Sequence, residues 1–229
     1  MYDEARRMRF ALSTMALLLA LNGVSAIYAL GWRAITFNVG VVLILDCIYI
    51  LRYRDAQVGR WLLLGFAAGG VELLTDWWLV GTQTLVYPPD EPKIWASPAY
   101  MPFAWAVVLV QLGIVGDWLR PRQGWLAATL LTALIAGINI PIYEHLAKDA
   151  QYWFYQLTPM FLSTPYYIIC AEFLLALPLV GLGAIAARLR PRWSLSLGVI
   201  EGLWMFPVVL FAFWLLGPCT GAVIQWPCR

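Results

Sequence analysis

Seven runs of apolar residues, each roughly 20 long, leave this chain few folds to choose from. They cover approximately 9–31, 34–51, 61–83, 98–118, 124–143, 165–187 and 194–216. A run of that length crosses the hydrocarbon core of a bilayer as an α-helix, whose backbone N–H and C=O groups are satisfied within the segment itself. Hydrophobic residues make up 62% of the chain and charged residues 12%, against about half and a quarter in a soluble domain. The expectation is an all-α, polytopic membrane protein: one domain, residues 1–229, forming a bundle of seven transmembrane helices. Its net charge of +2 is small and its basic residues are spread over short turns, so no nucleic-acid partner is expected. Arg6, Arg7 and Arg9 before the first run, with Val24-Ser25-Ala26 near its end, also resemble a secretory leader; the run is expected to be retained as the first helix.

Arginine sets the expected orientation. Arg6, Arg7, Arg9, Arg52, Arg54, Arg60, Arg120, Arg122, Arg188, Arg190 and Arg192 all fall on one side of a seven-span chain, leaving Arg33, Lys93, Lys148 and Arg229 on the other. The positive-inside bias therefore predicts an amino terminus inside and a carboxyl terminus outside, in the plasma (inner) membrane of a bacterium. The inner turns repeat a phrase at intervals of roughly 70 residues: Leu51-Arg52-Tyr53-Arg54, Leu119-Arg120-Pro121-Arg122 and Leu189-Arg190-Pro191-Arg192. It reads either as the trace of a tripled helical hairpin or as the ordinary chemistry of cytoplasmic turns. On the outer side, residues 84–97 look too polar and proline-rich to be buried. Residues 144–164, with Tyr152, Trp153, Phe154 and Tyr155 in a row, suit either a short helix in the headgroup region or a plain aromatic belt. Cys47 and Cys170 read as small packing residues, and Cys219 and Cys228 in the outer tail as a disulfide pair.

Within the third run, Glu72 and Asp76 are four residues apart and so share one helix face. Gly65 and Gly69 fall near the same stripe and would let a neighbouring helix approach closely. Ionisable groups at membrane depth are costly and mark a candidate site. Helix rise puts Glu72 roughly 18 Å and Asp76 roughly 24 Å from the cytoplasmic end of the span, with Glu172 and Asn139 at about the level of Glu72 and Gln111 nearer the middle. Asp46 and Glu201 form a second layer about 10 Å from the cytoplasmic side, and Asp117 reads as a solvated partner of Arg120. Trp77, Trp78, Tyr100, Trp105 and Tyr143 are the aromatic groups expected around the upper layer.

Elimination narrows the chemistry. His145 is the one histidine, so cages of several histidines are impossible and no metal is expected. There is no Gly-x-Ser-x-Gly elbow, P-loop or dinucleotide fingerprint, and the seventh run has no lysine for a retinal Schiff base. No cofactor is implied. Three readings of the carboxyl layer remain. Crowded carboxyls in low dielectric favour keeping at least one as a neutral acid, which could protonate an olefin or epoxide beside cation-stabilising rings. The same groups could form the proton relay of a transporter, or a structural network in a pigment- or lipid-binding scaffold.

The Glu on span three, the aromatic outer loop and Ser97-Pro98-Ala99-Tyr100-Met101-Pro102-Phe103-Ala104-Trp105 opening span four resemble small polytopic carotenoid hydratases. The seven spans and paired acids are similar to the membrane-bound terpene cyclases of meroterpenoid pathways. The resemblance covers residues 65–115. It implies acid-driven cyclisation or hydration of a hydrophobic isoprenoid that enters from the bilayer, with Glu72 and Glu201 nearest to the acid pair. The candidate site is thus Glu72 as principal acid, Asp76 setting its protonation, Glu172 or Asn139 orienting a proton or water, Glu201 as second acid, and Trp77, Tyr100, Trp105 and Tyr143 around the substrate.

Overall fold

The computed structural model describes residues 2–218. Each of the seven apolar runs is helical, as α1 (Tyr2–Tyr28), α2 (Trp32–Tyr53), α3 (Ala56–Gly81), α4 (Met101–Gln123), α5 (Trp125–Asp149), a sixth span made of α6 (Tyr166–Leu175) and α7 (Leu179–Arg188), and α8 (Trp193–Leu216). The outward faces carry large apolar side chains such as Ile27, Phe37, Leu51, Leu126, Ile138 and Leu203, the reverse of a soluble surface and the surface a bilayer requires. The chain is an integral membrane protein with an all-α bundle. Cys47 lies on that outward surface rather than in the packing. The cysteines expected to pair, Cys219 and Cys228, lie outside the described residues.

The third span is the central staff of the bundle, packing most extensively on α4 and α8. Small residues make that possible. A Cβ on Gly65 would lie 2.7 Å from the Cα of Ala106, and one on Gly69 would lie 2.6 Å from the carbonyl oxygen of Pro102 and 2.9 Å from the Cβ of Trp105. Gly198 and Gly202 of α8 meet the backbone of α3 at Leu64 and Ala68 in the same way. The start of α3 is fixed by Asp55, whose Oδ1 accepts from the backbone N–H groups of Gln57 (3.1 Å) and Val58 (3.3 Å) while Oδ2 takes Arg7 of α1 at 2.7 Å. A capped helix start tied to a neighbouring helix holds the register of α3 from its arginine-rich end.

The sixth span is expected as one helix and is broken instead. Residues 176–178 form a turn ending at Pro178. Proline has no N–H to give the carbonyl four residues back, here Leu174. That carbonyl accepts from the backbone N–H of Leu177 (3.3 Å) and from the indole Nε1 of Trp204 on α8 (3.3 Å), so a tighter turn and a side chain together take the place of the lost ladder bond.

The two long loops differ most from expectation. Residues 150–165 form no interfacial helix, and residues 84–97 are not a solvated loop. Three antiparallel two-stranded pairings build a cap: β1 (Leu85–Val86) with β4 (Phe154–Tyr155), β2 (Lys93–Ile94) with β3 (Ser97–Pro98), and β5 (Met160–Phe161) with β6 (Thr164–Pro165). Thr84, Leu85, Tyr87, Glu91, Ser97 and Tyr152 are buried in it. The Asn38 side-chain amide on α2 donates to Asn22 of α1 (2.9 Å), and the Tyr152 hydroxyl also reaches Asn22 (3.4 Å), pinning the cap to the first two helices.

The two loops of the cap follow one plan. Both α3 and α5 end in a right-handed residue, Thr82 and Ala150, with φ, ψ of −74°, −8° and −75°, −5°. A glutamine with positive φ follows each, Gln83 at 61° and Gln151 at 60°. Each loop then makes a strand, and the two strands pair with each other. Next come a proline carbonyl that accepts the backbone N–H seven residues on (Pro92 from Ala99, 2.8 Å; Pro159 from Tyr166, 3.2 Å) and a two-residue hairpin turn opening at positive φ (Trp95, 57°; Leu162, 55°). A Ser-Pro or Thr-Pro pair leads into the next helix in both. The first two helices are joined instead by a tight turn through Ala29 and Gly31, so of the three expected hairpin units two share this plan. The arginine phrases after them, at 119–122 and 189–192, are 70 residues apart while the hairpin turns are 67 apart. The three-residue turn at 176–178 takes up the difference.

Candidate functional site

Inside the bundle, under the cap, lies a cavity of about 170 Å³. Helical stripes at the 3–4 spacing build its walls: Glu72, Thr75, Asp76 and Leu79 from α3; Met101, Ala104, Trp105, Val108 and Gln111 from α4; Ala136, Asn139, Ile140, Tyr143, Glu144 and Ala147 from α5; Ile168, Ala171, Glu172 and Leu175 from α6. Met15, Leu18 and Asn22 of α1 and Met205 and Val209 of α8 complete the sides, and Tyr87, Tyr152, Trp153 and Tyr155 of the cap form the roof. Such stripes put one face of each helix on the cavity and leave the opposite face to lipid.

Four carboxyl groups meet here, and no lysine, arginine or histidine lines the wall among the described residues. Glu72, Asp76 and Glu144 are 5%, 4% and 6% exposed. The Tyr87 hydroxyl donates to Asp76 Oδ2 at 2.7 Å, and Ser97 of β3 lies close to the same carboxyl. Glu144 accepts from the Trp153 indole Nε1 on Oε2 and from the Tyr155 hydroxyl on Oε1 at 3.5 Å. Burial first, then the carboxyl that each faces (Asp76 for Tyr87, Glu144 for Tyr155), pushes both tyrosine hydroxyls well above the ordinary tyrosine range, so both stay protonated donors. Glu72 is different. Its Oε2 is buried and has no hydrogen-bond partner among the described residues, although Asp76, Glu172 and Trp105 all interact with the group. Among the described residues no three His, Cys, Asp or Glu side chains converge closely enough to hold a metal ion.

Most of the residues expected at the site gather in this cavity: Glu72, Asp76, Glu172, Trp105, Asn139 and Tyr143 all line it. Trp77 does not; it is 59% exposed on the outward face of α3, because one residue beyond Asp76 is about 100° round the helix. Tyr100 is buried at the cap end of α4 without lining the cavity. Glu201 is 1% exposed but stands apart from the cavity, with neither carboxyl oxygen partnered among the described residues, and the same holds for Asp46. Asp117 is no solvated partner of Arg120: its Oδ2 accepts from Gln57 Nε2 (2.7 Å) and Trp61 Nε1 (2.8 Å). His145 is half exposed beside Ser163 (3.1 Å) and Asp149 (3.7 Å), outside the cavity.

Sequence reasoning missed Glu144 and the roof tyrosines. The apolar run of span five ends at Tyr143, but α5 continues to Asp149. The stripe Ala136, Asn139, Ile140, Tyr143 carries straight on to Glu144 and Ala147 at helical spacing, and that periodicity was the available signal.

The fold and the site together define a seven-span membrane protein with an acid-lined internal cavity roofed by paired loops. A family model described as a domain of unknown function (DUF6989) matches residues 73–216, more than half of the chain, and the chain belongs to that family. No curated protein and no solved structure matches it.

Proposed function

We propose that the chain is an intramembrane enzyme that protonates an unsaturated apolar ligand, an isoprenoid olefin or epoxide, with Glu72 as the acid. The observation that carries this is Glu72, which lines the cavity and whose buried Oε2 has no hydrogen-bond partner among the described residues, beside Asp76, which is tied to a tyrosine donor. A carboxylic acid in the wall of a largely apolar space has its proton within reach of what enters that space. The proton leaves the Glu72 carboxyl for a carbon of the double bond or for the epoxide oxygen. The cation that forms is faced by Trp105 and Tyr143, whose rings attract positive charge, and it closes a ring or takes up water. No lysine or arginine in the wall calls for an anionic substrate. A cavity of about 170 Å³ takes a ring-sized guest, since an apolar space of ~150 Å³ accommodates benzene. It therefore receives the reacting end of a longer lipid. With the arginine-rich turns in the cytoplasm, the amino terminus is inside and the cap faces out. Asp46 and Glu201 stand apart from the cavity, which favours this reading over a transporter needing a polar path through them.

The test is Glu72→Gln, which keeps shape and hydrogen bonding and removes the transferable proton. Organic extracts of the purified protein, analysed by mass spectrometry, identify a retained isoprenoid, and turnover of that compound is then measured. The variant is expected to fold and bind but to convert nothing. A fully active Glu72→Gln protein ends the proposal.

A further inference from the structure

We infer that the repeated loop plan has built a second acid–base station into the cavity, Glu144 with Tyr155, and that the Glu144 carboxylate takes back the proton which ends the reaction. This rests on the function proposed above and deepens it.

The two stations match residue for residue. Asp76 and Glu144 are 68 residues apart in the chain, as are Gln83 and Gln151, and Tyr87 and Tyr155. In each half a tyrosine at the end of the cap strand, just past β1 for Tyr87 and the last residue of β4 for Tyr155, donates to the carboxyl eleven residues before it, at 2.7 Å in the first half and 3.5 Å in the second. The strands between them pair antiparallel, Leu85 with Tyr155 and Val86 with Phe154. Under the 68-residue correspondence Val86 faces its own counterpart, as it must where a local two-fold axis passes between the strands. One break in the correspondence has a simple cause. Gln156 donates its backbone N–H to Thr84 (2.9 Å), and its counterpart is Pro88, which has no N–H to return.

The halves then diverge where chemistry would require it. Glu72 on α3 stands where α5 has Ile140, and, in the 67-residue register that holds from Pro92 and Pro159 onward, Trp105 on α4 stands where α6 has Glu172. The first half holds the unpartnered acid. In the second, Glu144 Oε2 receives the indole N–H of Trp153, a group that can only donate, so that oxygen serves as an acceptor. Glu172 lines the same cavity and interacts electrostatically with both Glu72 and Glu144. The cycle balances. The π electrons of the olefin form a C–H bond with the Glu72 proton. Later a C–H bond next to the cationic carbon breaks, its electrons form the new double bond, and its proton goes to Glu144. Transfer through Glu172 restores Glu72. The net reaction is an isomerisation or cyclisation without a co-reactant, and the ligand class is an olefin with reactive carbons toward both halves.

Geraniol, farnesol and geranylgeraniol, each given in D₂O to the full chain in detergent, test this by mass spectrometry. Wild type is expected to return deuterium-bearing olefin. Glu72→Gln is expected to abolish the exchange. Glu144→Gln should still consume the probe but lose the deuterated isomer about a hundredfold, giving instead the diol from solvent capture of the cation. Tyr155→Phe, which leaves the carboxyl in place, should shift products the same way to a lesser degree and keeps the test open if Glu144→Gln does not fold. Unchanged deuterated olefin in both Glu144→Gln and Tyr155→Phe, with Glu72→Gln dead, overturns the second station alone. No exchange by wild type on all three probes, or exchange that survives in Glu72→Gln, overturns the acid function and this inference together.

Discussion

The chain buries carboxyl groups in two layers, and only one of them meets a cavity. Near the cap, Glu72, Asp76, Glu144 and Glu172 face a common space, and two of the four are tied to tyrosine and tryptophan donors. Toward the arginine-rich face, Asp46 and Glu201 are each 1% exposed, their oxygens unpartnered among the described residues, and no part of that space. Burial alone therefore does not separate a site from a packed polar residue. What separates them is whether a guest has room beside the acid and whether neighbouring groups hold the other acids still.

Paired substitutions in the two layers test the contrast most directly. Glu72→Gln should lower turnover by about two to four powers of ten, whereas Glu201→Gln should leave it within a few-fold. Equal losses in both would erase the distinction between the layers. Asp117→Ala comes next: it strips the acceptor shared by Gln57 and Trp61 and should destabilise the bundle by about 1–3 kcal/mol, with activity preserved below the melting range. Thermal denaturation in detergent, run beside a turnover assay, measures both. Tyr87→Phe removes one donor from Asp76 and should cost about 1 kcal/mol; its signature is a changed pH–rate profile with little change in melting.

The smallest effect belongs to Glu91 in the cap. Burial, opposed by Lys93, pushes its carboxyl from the ordinary 4.5 up to about 7. The folded cap thus holds that proton more tightly than the unfolded chain does. The stability it contributes is complete below pH 4.5 and declines as pH rises toward 7. Hydrogen exchange of residues 84–100 should speed up across that window, and Glu91→Gln should flatten the trend. Exchange in the cap that slows as pH rises, after correction for intrinsic rates, would show the sign to be wrong.

The spans were legible because a 20-residue apolar run has one answer in a bilayer, and Glu72 with Asp76 stood out because four-residue spacing is one helical turn. Trp77 could have been set aside by the same geometry. Glu144 was hidden because hydropathy stops at Tyr143 while the helix does not; periodicity persists where apolarity ends. The cap left no local trace. Its strands are two residues long and β1 finds its partner about 70 positions away, so neither propensity nor alternation could announce it. The break before α7 was signalled by Pro178, but not the indole that answers it.

That indole has a mechanical consequence. A continuous helix transmits tilt through an unbroken ladder of backbone bonds, but between α6 and α7 the ladder gives way to the turn at 176–178, and α6 is latched there through the Leu174 carbonyl by the Trp204 N–H. Ten residues long, α6 is a short lever pinned at its foot to another helix and at its head to the cap hairpin. Movement of α8 relative to the bundle would swing this lever, and Glu172 would travel with it.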